Sequence, residues 1–375
     1  MRRTFIAAGT AAAFCLIAML EAHAKSPAWI ACESTEIPLD AQIDGCTKII
    51  QAGNETRHNL AIAYYDRGIA YRHKNDFDRA IADYTKAIEL NPKDAKIYFN
   101  RGAAHSHAGE FSLAIPDYTK AIELDPKDPD AYYSRGLVEA ALKDYDPAIA
   151  DYTKAIELDP KNADAYTNRG LAEALKHDYD RAIADHTKAI ELDPEDADAY
   201  VNRGLTYDEM HDEDRAIADF TKAIEVDPKN AAAYDDRGEA YSKKGDHDRA
   251  IADFTRATEL DPKDPDPYNE RCWQRTISGQ AQLALTDCDE SLRLKPDEAE
   301  TLDSRGFAYF VLTRYDEALS DFDAALKLDD KLASSLYGRG MTKLKKGDPT
   351  GDADIAAAKA IEPGIADKMA GYGIK

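Results

Sequence analysis

The sequence predicts an all-α array of stacked helix–turn–helix repeats, and three observations carry that reading. Prolines recur every 34 residues, at Pro92, Pro126, Pro160, Pro194, Pro228, Pro262 and Pro296. Glycines keep the same interval at Gly68, Gly102, Gly136, Gly170, Gly204 and Gly238, and resume after one break at Gly306 and Gly340. Within an interval the apolar residues follow helical spacing. Phe77, Ala80, Ile81, Tyr84, Ala87 and Ile88 form one stripe, three and four apart where a helix buries one face. Tyr64, Tyr98, Tyr132, Tyr166, Tyr200, Tyr234 and Tyr268 make a further ladder, and Ala80, Ala114, Ala148 and Ala182 begin another. Such a fixed period marks a supersecondary unit that buries its apolar face against its neighbours. A chain of 375 residues built this way needs no single large core.

Taken in order, the chain opens with a targeting segment. Arg2 and Arg3 precede a mostly apolar run from Phe5 to Leu20, and Ala22-His23-Ala24 supplies a small-x-small cleavage site. Residues 1–24 are therefore expected to be a removed signal peptide. The mature chain would carry no membrane span and would be periplasmic or secreted. Arg2-Arg3-Thr4-Phe5-Ile6 partly matches a twin-arginine signal, so both the Sec and the twin-arginine routes stay open. Cys15 follows Phe14 rather than a small residue, which argues against a lipoprotein.

Residues 25–60 are expected to cap the array, with Ile43 to Ile50 matching the second helix of a unit as a half-repeat. From residue 61 each unit reads as two helices. In residues 61–94 the first carries Tyr64, Gly68 and Tyr71. The polar His73-Lys74-Asn75-Asp76 then turns the chain, with Asp76 placed to cap the second helix. Asn91-Pro92 ends that helix and sets up the next. Gly68 and Ala80 are expected to let the pair approach, with Tyr64 and Tyr84 filling the space on either side. A ninth unit over 333–366 keeps Gly340 and Pro363 and is one residue short in its second helix. After Pro363 the sequence predicts a short capping helix ending in Gly371-Tyr372-Gly373. That tail offers little polar cover, so self-association through this end stays open.

This order of aromatic, Gly, Tyr, Ala, aromatic, Ala and Pro at a 34-residue period resembles the tetratricopeptide repeat, in an exported bacterial form, over nearly all of the mature chain. Full units fall at 61–94, 95–128, 129–162, 163–196, 197–230, 231–264, 265–298 and 299–332, and residues 333–375 hold the degenerate ninth unit and C-terminal cap. The resemblance implies a right-handed superhelical solenoid whose first helices line a concave groove. It also implies a non-catalytic scaffold or adaptor for other proteins, here in the cell envelope.

By that resemblance, groove positions lie one, two, four, five, eight and nine residues after the lead Tyr. Tyr65, Phe99 and Tyr133 supply aromatic surface there. Asn100, Asn168 and Asn202 sit where an amide can hold a ligand backbone. Ile69, Leu137, Leu171 and Leu205 make an apolar strip, and Trp273, Phe307 and Phe310 a second apolar cluster. The bland alternative for each group is packing between neighbouring first helices. If exposed, the strip calls for an apolar peptide or helix as ligand. A carboxylate clamp of the kind found in the family needs Lys, Arg and Asn at set groove positions; Asn100 fits, but Tyr65, Ile69, Asp130 and Ser134 occupy the neighbouring slots, so capture of an acidic chain end is not expected.

Arg precedes the Gly slot of every unit, at Arg67, Arg101, Arg135, Arg169, Arg203, Arg237, Arg271, Arg305 and Arg339, where the family usually has an apolar residue. The second helices carry Asp at the same period, including Asp83, Asp117, Asp151, Asp185, Asp219 and Asp253. A charge at a core-side position needs a partner. The two rows therefore predict a structural ladder of bidentate ion pairs. The alternative, an Arg row reading an acidic ligand, suffers because an equal row of Asp would cancel its field.

Four cysteines remain after signal removal, Cys32, Cys46, Cys272 and Cys288, and an even number in an exported chain suggests two disulfides. Cys272 takes the Gly slot of its unit and Cys288 the second-helix aromatic slot. In the family these positions meet, which favours Cys272–Cys288 and leaves Cys32–Cys46 at the cap. A redox role has little to recommend it without a C-x-x-C. His105 and His107 point to different sides of a helix, and His186 replaces a core aromatic. No zinc spacing, nucleophile elbow or phosphate-binding glycine loop is present in the sequence, so neither enzyme nor cofactor is expected. The net charge of -23, from 71 acidic and 48 basic residues, argues against nucleic acid as a partner. The expected partner is a protein or peptide. The runner-up is a self-assembling solenoid without a client, and a thiol–disulfide protein is a minor third.

Overall fold

The computed structural model describes residues 25–374; the signal peptide expected over residues 1–24 lies outside them. Among the described residues there are 21 α-helices and no strand. The chain divides into two compact units, one ending at Lys176 and one beginning at His177.

The first unit opens with α1 (Pro27–Glu33) and α2 (Leu39–Ala52). The half-repeat helix expected over 43–50 runs over 14 residues, the length of the second helices in the regular units, and a short first helix precedes it. Both pack around Cys32 and Cys46, which are fully buried and lie at disulfide distance, 2.06 Å. Regular pairs follow: α3 (Arg57–His73) with α4 (Phe77–Leu90), α5 (Ala95–His107) with α6 (Phe111–Leu124), and α7 (Pro129–Ala141) with α8 (Tyr145–Leu158); α9 (Ala163–Leu175) closes the unit. The second unit runs from α10 (Tyr179–Leu192) through α11 (Ala197–Glu209) with α12 (Glu213–Val226), α13 (Ala231–Lys243) with α14 (His247–Leu260), and α15 (Asp266–Ile277) with α16 (Ala281–Leu294). Then come α17 (Ala299–Val311) with α18 (Tyr315–Leu328), α19 (Ala333–Lys345) with α20 (Gly351–Ile361), and the terminal α21 (Ile365–Gly371).

The pairing rests on a contact slightly different from the expected one. Tyr84 does not flank Gly68; its ring lies on it. A Cβ at Gly68 would stand 2.7 Å from the Tyr84 ring, and one at Gly204 would stand 2.7 Å from Phe220. Glycine is thus required because an aromatic of the second helix occupies the volume of its side chain. Alanines on the second helices, Ala80, Ala114, Ala148 and Ala250 among them, are fully buried where the helices cross. In residues 265–298 the glycine–ring contact is replaced by Cys272 and Cys288, both fully buried, with sulfurs 1.97 Å apart.

The turns follow local chemistry. The Asp76 carboxylate accepts from the Arg79 backbone N–H at 3.3 Å, capping α4. The residue before it, Asn75, has φ 58°, and the matching turn positions hold Lys143, His177, His211, Thr313 or a glycine such as Gly245. Helix α20 spans 11 residues against 14 in its counterparts. Its Asp354 pairs with Arg339 across 15 positions where Asp321 pairs with Arg305 across 16.

Candidate protein-interaction surface

The arginines before the glycine slot turn inward along the helix pairs. Arg67 donates from Nε and Nη2 to both oxygens of Asp83 at 2.7 and 2.8 Å. The same fork joins Arg101 to Asp117, Arg135 to Asp151, Arg203 to Asp219, Arg237 to Asp253 and Arg305 to Asp321. The carboxylates are buried, Asp117 to 5% exposure. Hydrogen bonding to Asp83 raises the Arg67 pKa. These side chains are spent on structure and present no guanidinium row to a ligand.

Sequence reasoning missed the third donor. Nη1 of Arg101 donates to Thr85 at 3.1 Å, Arg135 to Thr119 at 2.9 Å, Arg169 to Thr153 at 3.0 Å and Arg203 to Thr187 at 3.0 Å. Each bond runs back to the second helix of the preceding repeat, so Arg101, Arg135 and Arg203 each tie three helices. Asp185, buried like its counterparts, stands at the same second-helix position. Thr85, Thr119, Thr153 and Thr187 are 34 apart, and that ladder was visible in the sequence.

The first helices carry the nominated groove residues. In the first unit Tyr65, Ile69, Phe99, Asn100, Tyr133, Asn168 and Leu171 are half-buried, and Leu137 is 38% exposed. The asparagines are partly committed. Asn100 Nδ2 donates to the Tyr65 hydroxyl at 3.0 Å and to the Lys96 carbonyl at 2.9 Å; Asn168 repeats this with Tyr133 at 3.1 Å and Asp164 at 2.9 Å. Both N–H groups being used, what each amide offers a ligand is its carbonyl oxygen, as an acceptor. In the second unit Leu205 is 40% exposed and Asn202 half-buried.

The second apolar cluster needs correction. Phe307 and Phe310 are 0% and 6% exposed and line no open groove; they are packed in a cluster that includes the tail residues Ile365 and Met369. Phe307 packs edge-on to Phe322 at 5.0 Å and to Trp273 at 5.7 Å. Trp273 is half-buried, with Tyr372 from the chain's end set edge-on against it at 5.3 Å. The sequence could not disclose this, because α15, α17 and α19 pack directly against one another and α21 folds onto them.

Between Leu205 and Trp273 the same helix positions carry acids that sequence reasoning passed over. Burial, reinforced by Glu239, Asp236, Glu270 and Asp264, pushes the Asp235 carboxyl up to about 8. Asp236 and Glu270 are likewise raised to about 7, chiefly by burial. One oxygen of Asp235 is buried without a hydrogen-bond partner among the described residues. Their signal was positional: Asp235, Asp236 and Glu239 fall at the slots that hold Tyr65, Asp66 and Ile69 in residues 61–94.

Histidine chemistry is structural. His186 is fully buried, neither ring nitrogen has a partner among the described residues, and burial lowers its pKa to about 4. His105 is buried against Glu110 at 2.7 Å, while His107 is exposed and stacks on Phe77. Among the described residues no group of three or more His, Cys, Asp or Glu side chains could hold a metal ion, and no helix is long and apolar enough to cross a membrane.

Comparison with known proteins bears on this arrangement. A tetratricopeptide repeat model matches residues 61–94, 95–128, 129–162, 163–196, 197–230 and 231–264, and a second such model matches 299–332, together more than half of the chain. Among solved structures, MamA of Desulfovibrio magneticus is 27% identical with a TM-score of 0.43, covering 45% of this chain and 95% of its own. YrrB, described as a tetratricopeptide protein with an unusual peptide-binding site, is 27% identical with a TM-score of 0.45, covering 51% and 96%. PilF of Pseudomonas aeruginosa is 20% identical with a TM-score of 0.49, covering 55% and 94%. No curated protein matches. Repeats of this type make scaffolds for protein–protein contact, and with its helix pairs matched unit by unit, the chain belongs to the tetratricopeptide repeat family.

Proposed function

We propose that this protein is an exported, non-catalytic scaffold of the cell envelope that docks an apolar peptide or helix on the first-helix face of residues 61–176. The observation that carries the reading is the row on α3, α5, α7 and α9, where Tyr65, Ile69, Phe99, Tyr133, Leu137 and Leu171 keep solvent exposure. Apolar surface of this kind gains free energy when a partner covers it. The carbonyl oxygens of Asn100 and Asn168 lie on the same helices, ready to accept from a ligand backbone N–H. Export is supported by the charged, apolar and small-x-small order of residues 1–24 and by two buried cysteine pairs, which belong to an oxidising compartment.

The test is affinity capture from envelope extract with the mature chain beside a Leu137→Asp, Leu171→Asp variant checked for native helicity. Adaptor function predicts at least one partner retained by the parent and reduced about tenfold or more by the variant, since two buried charges each cost more than 1.4 kcal/mol. Identical captures would remove the groove reading. A self-assembling solenoid has less support, because the tail buries Ile365, Met369 and Ile374 at the end that would stack. Thiol chemistry has less still, with Cys272 and Cys288 both at 0% exposure.

A further inference from the structure

The last twelve described residues behave as a ligand of the fold that carries them. Helix α21 has seven residues, too few to be stable in isolation. It owes its form to what it touches. Ile365, Met369 and Ile374 are 0%, 2% and 3% exposed and join one cluster with Phe307, Phe310 and Leu336, with Trp273 and Met341 packed at its border. Tyr372 stands perpendicular to the Trp273 ring, 5.3 Å between centroids at 89°. Beneath the tail, burial pushes the Asp303 carboxyl up to about 6, opposed by Ser335, which donates to it at 2.5 Å, and least by Lys368, whose Nζ pairs with Glu362 at 3.2 Å. Trp273, Phe307 and Met341 occupy the slot of Ile69, Leu137 and Leu171, so the tail lies on positions that elsewhere keep part of their surface in solvent. Pro363-Gly364 tethers it to α20, and both of the chain's disulfide pairs lie outside the segment.

We propose that the aromatic first-helix face of residues 265–345 is a peptide site held shut by the chain's own segment 363–374. It opens to a partner segment of the same chemistry: two aliphatic anchors four residues apart, a lysine just before the second, and an aromatic three residues beyond it. The tail displays that pattern in Ile365, Lys368, Met369 and Tyr372. The tether sets the control. A short linker holds the tail at a millimolar effective concentration, so a free peptide competes only when the tail is weakened or the partner's anchors are better. This inference rests on the scaffold reading but on different residues, so loss of the Leu137 and Leu171 surface would leave it standing.

The experiment uses the full mature chain with Trp29→Phe, which leaves Trp273 as the remaining tryptophan of two. Tail-weakening variants are Met369→Asp with Tyr372→Asp, and Tyr372→Ala alone as the milder change. The probe is a labelled twelve-residue peptide with the sequence of residues 363–374, followed by anisotropy. The expected result is peptide binding at least about tenfold tighter in the variants than in the parent. Trp273 emission should shift to the red on weakening the tail and return on adding peptide. Equal binding to parent and variants, or to neither, overturns the proposal. Collapse of helix signal in both variants also overturns it, since the tail would then be an integral cap. A parent that is dimeric by light scattering and monomeric as the variant would replace closure within one chain by exchange between two copies.

Discussion

At the level of single residues, the arginine ladder decides between cohesion and recognition. Each Arg–Asp fork is largely withdrawn from water; side-chain exposure is 19% for Arg135 and 9% for Asp151. Removing one member strands the other charge, which costs about 3 kcal/mol or more, whereas removing both leaves an apolar contact. Arg135→Leu is therefore expected to lower urea stability by about 3 kcal/mol, and Arg135→Leu with Asp151→Leu to recover most of it. A double variant as unstable as the single would show that the fork is not the origin of the cost. The Thr119 bond adds a smaller share, so Thr119→Val should cost about 1 kcal/mol. His186 argues in the opposite direction. Its imidazole, without a hydrogen-bond partner among the described residues, replaces the ring found in other repeats, and His186→Phe should raise stability by about 1 to 3 kcal/mol. Its pKa near 4 lies below the unfolded value of 6.5. The unfolded chain therefore binds the proton more readily, and stability falls as pH drops from 6.5 toward 4. The substitution should abolish that part of the acid slope in thermal melts.

Helix pairs show which parts of the fold were legible and why. Period and stripe located the helices from α3 to α20, because each repeat poses the same local packing problem; α21 lies beyond the repeat frame. The Gly–aromatic contact was misread in detail, since spacing tells that Gly68 and Tyr84 are on facing helices but not that the ring covers the glycine. The cysteine pair was legible because it fell in those same two slots. It suggests a direct test: Cys272→Gly with Cys288→Phe should restore the ring contact of the other repeats and keep the native helical content under reducing conditions. Reduction of the parent opens a loop of 16 residues and should cost about 3 kcal/mol in the chain-entropy account. If the double variant melts no higher than the reduced parent, the two contacts are not interchangeable. Turns supply a further prediction. Thr313 is a β-branched residue at φ 60° in an exposed turn where other repeats place Gly245 or Gly279. Thr313→Gly relieves that conformation and should raise stability by about 1 kcal/mol, read from the urea midpoint.

Across the whole chain, what stayed hidden was whatever depended on several repeats at once. Leu137 and Trp273 look alike on the 34-residue ladder, yet one is exposed and the other lies beneath Tyr372, because the last three first helices pack together and the tail returns over them. The acids were hidden likewise: a net charge of -23 reads as solvation until folding gathers part of it. Asp235 and Asp236 face Glu239 on their own helix, Asp208 on α11, Asp264 before α15, and Glu270 on it, with Lys243 the nearby base. Their carboxyls, raised to about 8 and about 7 in the fold, sit near 4 when unfolded. The native state therefore holds protons that the unfolded chain releases. The resulting stability is complete below about pH 4 and drains away as pH climbs toward 8. His186 works with the opposite sign but is finished by pH 6.5, so the interval from 6.5 to 8.5 isolates the acids. In thermal melts the second unit should be less stable at pH 8.5 than at 6.5. Asp235→Asn should flatten that slope and raise the melting temperature most at the alkaline end, where it removes a charge rather than a proton. An unchanged slope in Asp235→Asn would mean that the loss originates elsewhere in the 71 acidic residues. A flattened one would show that the fold stores repulsion in this patch, which a basic partner or a fall in pH would relieve.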